Sequence, residues 1–140
     1  PVFAKAAGLY MICTLSKHDA EAEGFDDALM QDWRGQVAEC TGANIFFGLN
    51  GVLHTPTPDC FLDGITRRSV MELARARGIE IIERAIMPDE MAGFDEIFVT
   101  GTAAEVTPVS QIDDLRFQVG PIARQMMGDY EALVHRRAAA

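Results

Sequence analysis

The dipeptide Asn50-Gly51, set between the apolar runs 44–49 and 52–55, constrains how this chain can fold more than any other feature. Both residues tolerate the positive φ of a type I′ turn, the connection whose twist matches two antiparallel strands. A hairpin therefore sits near the middle of the chain, and the flanking segments are read against it. Upstream, 28–33 and 36–39 read as strands about the turn Arg34-Gly35, with Trp33 as a strand-end anchor. Downstream, Pro56, Pro58 and Gly64 mark a loop. Thr66 is a candidate cap for a helix over 66–77, in which Val70, Leu73 and Ala74 recur at helical spacing; Gly78 stands where a left-handed C-cap belongs.

Residues 79–86 alternate like a strand, 88–91 suggest a short helical turn, and 96–100 and 106–112 read as two further strands separated by Gly101-Thr102-Ala103-Ala104. Pro121 opens a last helix to about 137, with Met126, Met127 and Tyr130 as its core positions. A first helix over 6–22 places Leu9, Ile12, Cys13 and Ser16 on one stripe, and Gly24 ends it. Many strands with three principal helices predict a mixed α+β fold, a barrel-like sheet with outer helices, in one domain spanning residues 1–140.

Charge and composition narrow the partners. A formal charge of −9, from 21 acidic and 12 basic residues, repels phosphate backbones and argues against nucleic acid. No apolar run approaches the roughly 20 residues of a membrane helix, so no membrane is expected. The three cysteines, Cys13, Cys40 and Cys60, are odd in number and widely spaced, which fits a reducing compartment, the cytoplasm. Cys40 reads as a packed small residue. His18 lies on the polar side of the first helix and His54 in the hairpin, with no metal spacing between them. Asp89, Glu90, Asp95 and Glu96 should scatter over different faces as solvated surface, and no metal is assigned.

Lys5 is one of two lysines, and Ala4, Ala6, Ala7 and Gly8 surround it with small groups. A tight, partly dry pocket there would disfavour the ammonium form and leave the free amine that carbonyl chemistry needs. Alone, a lysine near a chain end is more simply a solvated one.

The middle of the chain adds Glu39-Cys-Thr-Gly-Ala-Asn44-Ile-Phe46, then Leu53-His-Thr55, then Leu62-Asp-Gly64-Ile65-Thr-Arg67. This spaced pattern resembles the signature of class-IV, fold-type-IV aminotransferases, which use pyridoxal 5′-phosphate. The run Gly101-Thr-Ala-Ala-Glu-Val-Thr-Pro-Val109 is similar to the phosphate and carboxylate loop of the branched-chain members, and Ala4-Lys-Ala-Ala-Gly-Leu-Tyr10 to the segment with their catalytic lysine. The likeness runs from residue 1 to about 134. Leu9, Cys40 and Asp63 depart from it, standing where Asn, Gly and Pro are usual.

The resemblance implies that Lys5 is the Schiff-base lysine and Tyr10 the donor to the ring 3′-oxygen. It makes Glu39 the partner of the pyridine nitrogen and puts Leu62 against the ring face. Ile65, Thr66 and Thr102 would hold the phosphate, and the amides of Ala103 and Ala104 the substrate carboxylate. The implied activity is exchange of the amino group of leucine, isoleucine or valine with 2-oxoglutarate, between amino acid and 2-oxo acid substrates, in a homodimer or dimer-based oligomer. It also implies a smaller N-terminal domain and a first strand before Pro1, so that this portion alone turns over little substrate. A D-amino acid aminotransferase or an aminodeoxychorismate lyase shares the fold, and a non-catalytic, oligomerising fragment is the rival from another class.

Overall fold

The computed structural model describes residues 4–135. A 3-10 turn at Ala7–Leu9 leads into α1 (Tyr10–Ala22), followed by β1 (Leu29–Gln31), β2 (Val37–Cys40), β3 (Asn44–Leu49) and β4 (Val52–Pro56). Then come α2 (Ile65–Ala76), β5 (Ile81–Arg84), a second 3-10 turn at Pro88–Gly93, and β6 (Glu96–Gly101). The strands β7 (Glu105–Pro108), β8 (Gln111–Ile112) and β9 (Leu115–Arg116) precede α3 (Pro121–Val134). No helix among the described residues is long and apolar enough to cross a membrane.

The hairpin turns where expected: Asn50 and Gly51 have φ of 51° and 82°, and Leu49 pairs with Val52 across the turn. Strands β3 and β4 belong to a five-stranded sheet of order β5-β4-β3-β6-β7, in which β4 and β5 run parallel and the other pairs antiparallel. The continuous apolar run of β3 has a physical reason, since the sheet is buried on both faces. Phe46, Leu53 and Phe98 pack under Val70, Met71 and Ala74 of α2 and Ile122, Ala123 and Met126 of α3. Ile45, Phe47 and Ile97 face the other way, onto Val37, Ile86, Met91, Phe94 and Phe117. The fold is thus mixed α and β with helices outside, and the described sheets are open, β5 and β7 forming the edges of the largest.

Helix α2 ends in a Schellman motif: Gly78 takes φ 73°, Ile79 N–H bonds the Ala74 carbonyl and Gly78 N–H the Arg75 carbonyl. Its start differs from expectation. The cap position is Gly64, without a side-chain cap bond, and Thr66 lies inside the first turn with its hydroxyl 3.4 Å from that of Tyr130. One residue later Arg67, 1% exposed, ties the helix to the sheet through Asp63 (2.8 Å), Glu83 (2.8 Å) and the Pro56 carbonyl (3.1 Å).

Several expectations are corrected. The segment 6–22 divides into a 3-10 turn and α1, and α1 has no buried residue; Ile12 is 63% exposed while Cys13 and Ser16 are half-buried. Its stripe is therefore no core face, although Ile12 and Cys13 line the cavity described below, and the side chain of Leu9 lies outside the described ones. Trp33 is 88% exposed beyond the end of β1 and anchors no strand. The strand expected at 79–86 shortens to Ile81–Arg84. The one expected at 106–112 divides into β7 and β8, and β8 turns back onto β9 through Asp113 at φ 46°. Of the apolar residues on α3, Met126 is buried, Tyr130 half-buried and Met127 exposed. The last residues of the helix expected to reach 137 lie outside the described ones.

Glu96 is the largest correction, because it is no surface acid. It is 3% exposed, and its carboxylate accepts the N–H groups of Ile122 (3.2 Å) and Ala123 (2.7 Å), capping α3 from a distant strand. Gly48 and Gly120 make room for it, since a Cβ at either would collide with its side chain. The other three acids stay at the surface: Glu90 pairs with Arg84 at 2.8 Å, Asp95 accepts Asn50 N–H at 2.8 Å, and Asp89 is exposed. Glu96→Ala leaves two helix-end amides buried without acceptors and should lower stability by about 2–3 kcal/mol. Urea unfolding checks this, with Glu96→Gln, which keeps one acceptor, losing less.

Candidate active site

A cavity of about 780 Å³ opens where β3 begins, β6 ends and α2 starts. Lys5, Tyr10, Glu39, Leu62, Ile65, Thr66 and Thr102 all line it. They come from four segments along 98 residues of chain, 5–10, 39, 62–66 and 102, so the fold, and not local sequence, assembles them. Ala103 and Ala104 are not in its wall; they continue the turn that Thr102 begins between β6 and β7. Ala103 is exposed, and the Ala104 carbonyl accepts the Thr107 hydroxyl at 2.6 Å.

Asn44 organises one wall. Its Nδ2 donates to the Glu39 carboxylate at 3.0 Å and to the Leu62 carbonyl at 2.8 Å, while its Oδ1 accepts Gly64 N–H at 3.2 Å. One amide therefore fixes the acid, the residue beside it and the start of α2. That helix start carries amide donors free of any side-chain cap, at the positive end of the helix dipole, and Gly64, Ile65 and Thr66 present it to the cavity. Such an end binds anions.

Glu39 has been taken largely out of water. Burial pushes its carboxyl up to about 7, against the opposing effect of a bond from Leu62 N–H. It accepts hydrogen bonds from Asn44 and Leu62 but meets no cation among the described residues. A half-buried carboxylate without a cation favours a ligand that brings an N–H, above all a cationic one. Beside it, burial raises the Cys40 thiol to about 12, which suits packing and not nucleophilic work.

Lys5 departs from the dry pocket expected of its small neighbours. It is exposed at the cavity edge, as are Ala6, Ala7 and Gly8, because methyl groups and hydrogens give too little bulk to cover it. Asp63, an acid next to the anion-binding helix start, is held by Arg67 at 2.8 Å, so its charge is compensated. Asp32, Asp59 and Cys60 come together at the margin of the cavity, which Asp32 and Cys60 also line, and Arg34 already supplies the positive charge there, 2.6 Å from Asp32 and 2.9 Å from Asp59. His18 is exposed; His54 accepts from Arg84 Nε at 3.2 Å, and burial followed by that guanidinium holds it below the ordinary histidine range.

The sequence pattern thus sorts into two kinds of position. Ile45, Phe46, Leu53, Thr55 and Arg67 are core, with the Thr55 hydroxyl on the Ile45 carbonyl at 2.9 Å. Glu39, Asn44, Leu62, Gly64 and Ile65 form the wall of the cavity. Sequence reasoning passed over the part played by Asn44, although its fixed distance from Glu39 was the available signal.

A family model described as amino-transferase class IV matches residues 3–112. A probable branched-chain-amino-acid aminotransferase of Rickettsia felis is 40% identical over 138 residues, 96% of this chain and 48% of that protein. The branched-chain-amino-acid aminotransferase of Pseudomonas aeruginosa is 40% identical over 134 residues, 94% of this chain and 44% of that one. The crystal structure of the branched-chain amino acid aminotransferase from Thermobaculum terrenum, in its PLP form, superposes with a TM-score of 0.93 at 38% identity, covering 99% of this chain and 47% of that one. The chain spans about half the length of the relatives it matches.

The state of Glu39 has a direct consequence for stability. Its folded value lies above the ordinary glutamate value, so folding is penalised as pH rises from about 4.5 to about 7, where the unfolded chain ionises first. Glu39→Gln removes that penalty. Without ligand, its stability should match wild type near pH 4 and exceed it above pH 7, by about 1 kcal/mol after allowing for solvent screening, with a correspondingly higher melting temperature. Thermal unfolding across that range checks the sign; a variant no more stable at pH 8 than wild type contradicts it.

Proposed function

The chain belongs to the amino-transferase class IV family, and from that premise we propose that it is the pyridoxal-phosphate-binding part of an aminotransferase for branched-chain L-amino acids. The co-substrate in this reading is 2-oxoglutarate. One observation carries it: residues 5, 10, 39, 62, 65, 66 and 102, each with its own task in such a site, line a single cavity. The cavity fits the cofactor on chemical grounds as well. It offers an uncapped helix start for a phosphate, an under-compensated carboxylate for a ring N–H, and an amine at its edge.

When bound, pyridoxal phosphate supplies an aldehyde that bonds amines and a conjugated ring that accepts an electron pair from the substrate α-carbon. Lys5 is the proposed amine for that aldehyde, and it carries the proton between the substrate α-carbon and the carbon that bore the aldehyde. Glu39 holds the ring nitrogen protonated through a charge-assisted bond, and Asn44 keeps the Glu39 carboxylate in place. Tyr10 donates to the ring 3′-oxygen. Leu62 bears on the ring face, while the Ile65 and Thr66 amides and the Thr66 and Thr102 hydroxyls take the phosphate. The amides of Ala103 and Ala104, whose small side chains allow close approach, are assigned to the substrate carboxylate.

The wider assignments belong to the same proposal. Residues 1–140 form the cofactor domain of a longer protein, in which further strands close the open sheet into the barrel-like wall. Exposed Met11, Ile12, Leu15 and Trp33 support burial of this face in a homodimer. The free cysteines Cys13, Cys40 and Cys60 suit the cytoplasm.

Incubation with pyridoxal phosphate, borohydride reduction and peptide mapping should place the label on Lys5, with a visible absorbance band before reduction. Lys5→Ala should lose the label and, in the protein produced from its whole reading frame, lower transamination of leucine, isoleucine and valine by at least about 10²–10⁴-fold. The same band and turnover in Lys5→Ala would refute the lysine assignment. Exchange confined to D-amino acids, or pyruvate release from aminodeoxychorismate, would refute the substrate class.

A further inference from the structure

Three acids stand in the cavity wall among the described residues, and two of them have a task. Asp32 is spent on the Arg34 side chain and on the turn amides of Arg34 and Gln36, and Glu39 is assigned to the ring nitrogen. The third, Asp63, has none in the function proposed above. It directly precedes Gly64, the cap position of α2, and its side chain is 39% exposed at the cavity, so its field acts on whatever occupies the helix start.

The charges around Asp63 do not balance. Asp63 and Arg67 cancel as a pair, but the same guanidinium also meets Glu83 at 2.8 Å, and Glu83 makes no other ion pair among the described residues. One cation thus serves two carboxylates, and the group keeps a unit of negative charge. Arg68 offers little relief, because its Nε lies 4.0 Å from Asp63 and its side chain is 58% exposed. This excess charge adjoins a helix start that has no side-chain cap and no acid in its first turn. Asp63 therefore plays two opposed parts. While the cavity is empty, a carboxylate before the first turn is favourable at the positive end of the helix dipole. Once an anion sits there, the same carboxylate repels it.

We infer that Asp63 sets the strength of the phosphate site: its charge steadies the start of α2 in the empty cavity and weakens the hold on the phosphate of pyridoxal phosphate. This rests on the function proposed above and adds to it the residue that tunes the anion site. The test compares wild type, Asp63→Asn and Asp63→Glu in the protein produced from its whole reading frame. Asparagine keeps the shape and an acceptor for Arg67 without the charge, whereas glutamate keeps the charge. Three quantities are read: the melting temperature without ligand, the dissociation constant for pyridoxal phosphate by absorbance titration, and the same constant for pyridoxal, which lacks the phosphate.

The expected result is that Asp63→Asn melts below wild type without ligand yet binds pyridoxal phosphate about two- to fivefold more tightly, a gain that shrinks in about 1 M salt. Its affinity for pyridoxal stays at the wild-type value, and Asp63→Glu keeps the wild-type affinity for both. Equal or weaker binding of pyridoxal phosphate by Asp63→Asn overturns the inference, weaker binding by assigning Asp63 to holding the helix start through Arg67. An equal gain for pyridoxal overturns it too, because the effect is then not exerted on the phosphate, and so does a melting temperature that does not fall. If wild type binds no pyridoxal phosphate, the cofactor reading itself falls and takes this inference with it, an outcome distinct from a failure confined to the variant.

Discussion

Three hydrogen bonds made by one side chain hold the site together. Asn44 opens β3, the central strand of the sheet, and its amide reaches Glu39 before it in the chain and both Leu62 and Gly64 after it. Because β3 is fixed by burial on both faces, the amide is fixed with it. The acid and the anion-binding helix start are then set relative to each other by the sheet, although 25 residues separate Glu39 from Gly64. An aliphatic side chain at 44 would leave the Leu62 carbonyl and Gly64 N–H without partners in a buried place, and the loop would have to open to water to recover them.

The charges of the molecule follow from the same arrangement. Arg67 and Glu39 are both withdrawn from solvent, but they are treated in opposite ways. Arg67 is compensated within the chain by Asp63 and Glu83, which pins the helix start and neutralises the acid nearest to it. Glu39 is left without a cation among the described residues and is raised by burial. Arg67 is thus satisfied within the folded protein, while Glu39 is the charge that the proposed function reserves for a ligand. Glu96 is likewise satisfied, with both carboxylate oxygens spent on the start of α3.

Much of this was legible in the sequence because it rests on local signals. Asn50-Gly51 announced the hairpin through its backbone preference, and Gly78 announced the end of α2. The spaced residues from Glu39 to Arg67 and the run from Gly101 led to the cavity wall, where Lys5, Tyr10, Glu39, Leu62, Ile65, Thr66 and Thr102 meet. What escaped depends on partners far along the chain. Glu96 looked like one acid in a surface cluster, since its amide partners lie 26 and 27 residues away. Strand β9 is two residues long and carries no periodicity to read. Periodicity reports an apolar face and not what covers it, and the stripe on α1 stays largely uncovered; Trp33, read as a strand-end anchor, lies in the open beyond β1.

Amide hydrogen exchange in Asn44→Ala tests most directly whether this one side chain couples the acid to the helix start. The account predicts that the amides of Leu62 and Gly64 lose protection by at least about tenfold relative to wild type, while Ile97 and Phe98 in the sheet keep theirs once any global loss of stability is subtracted. Protection at Gly64 that falls no further than protection at Ile97 would contradict it, and would mean that the cavity wall stands without Asn44.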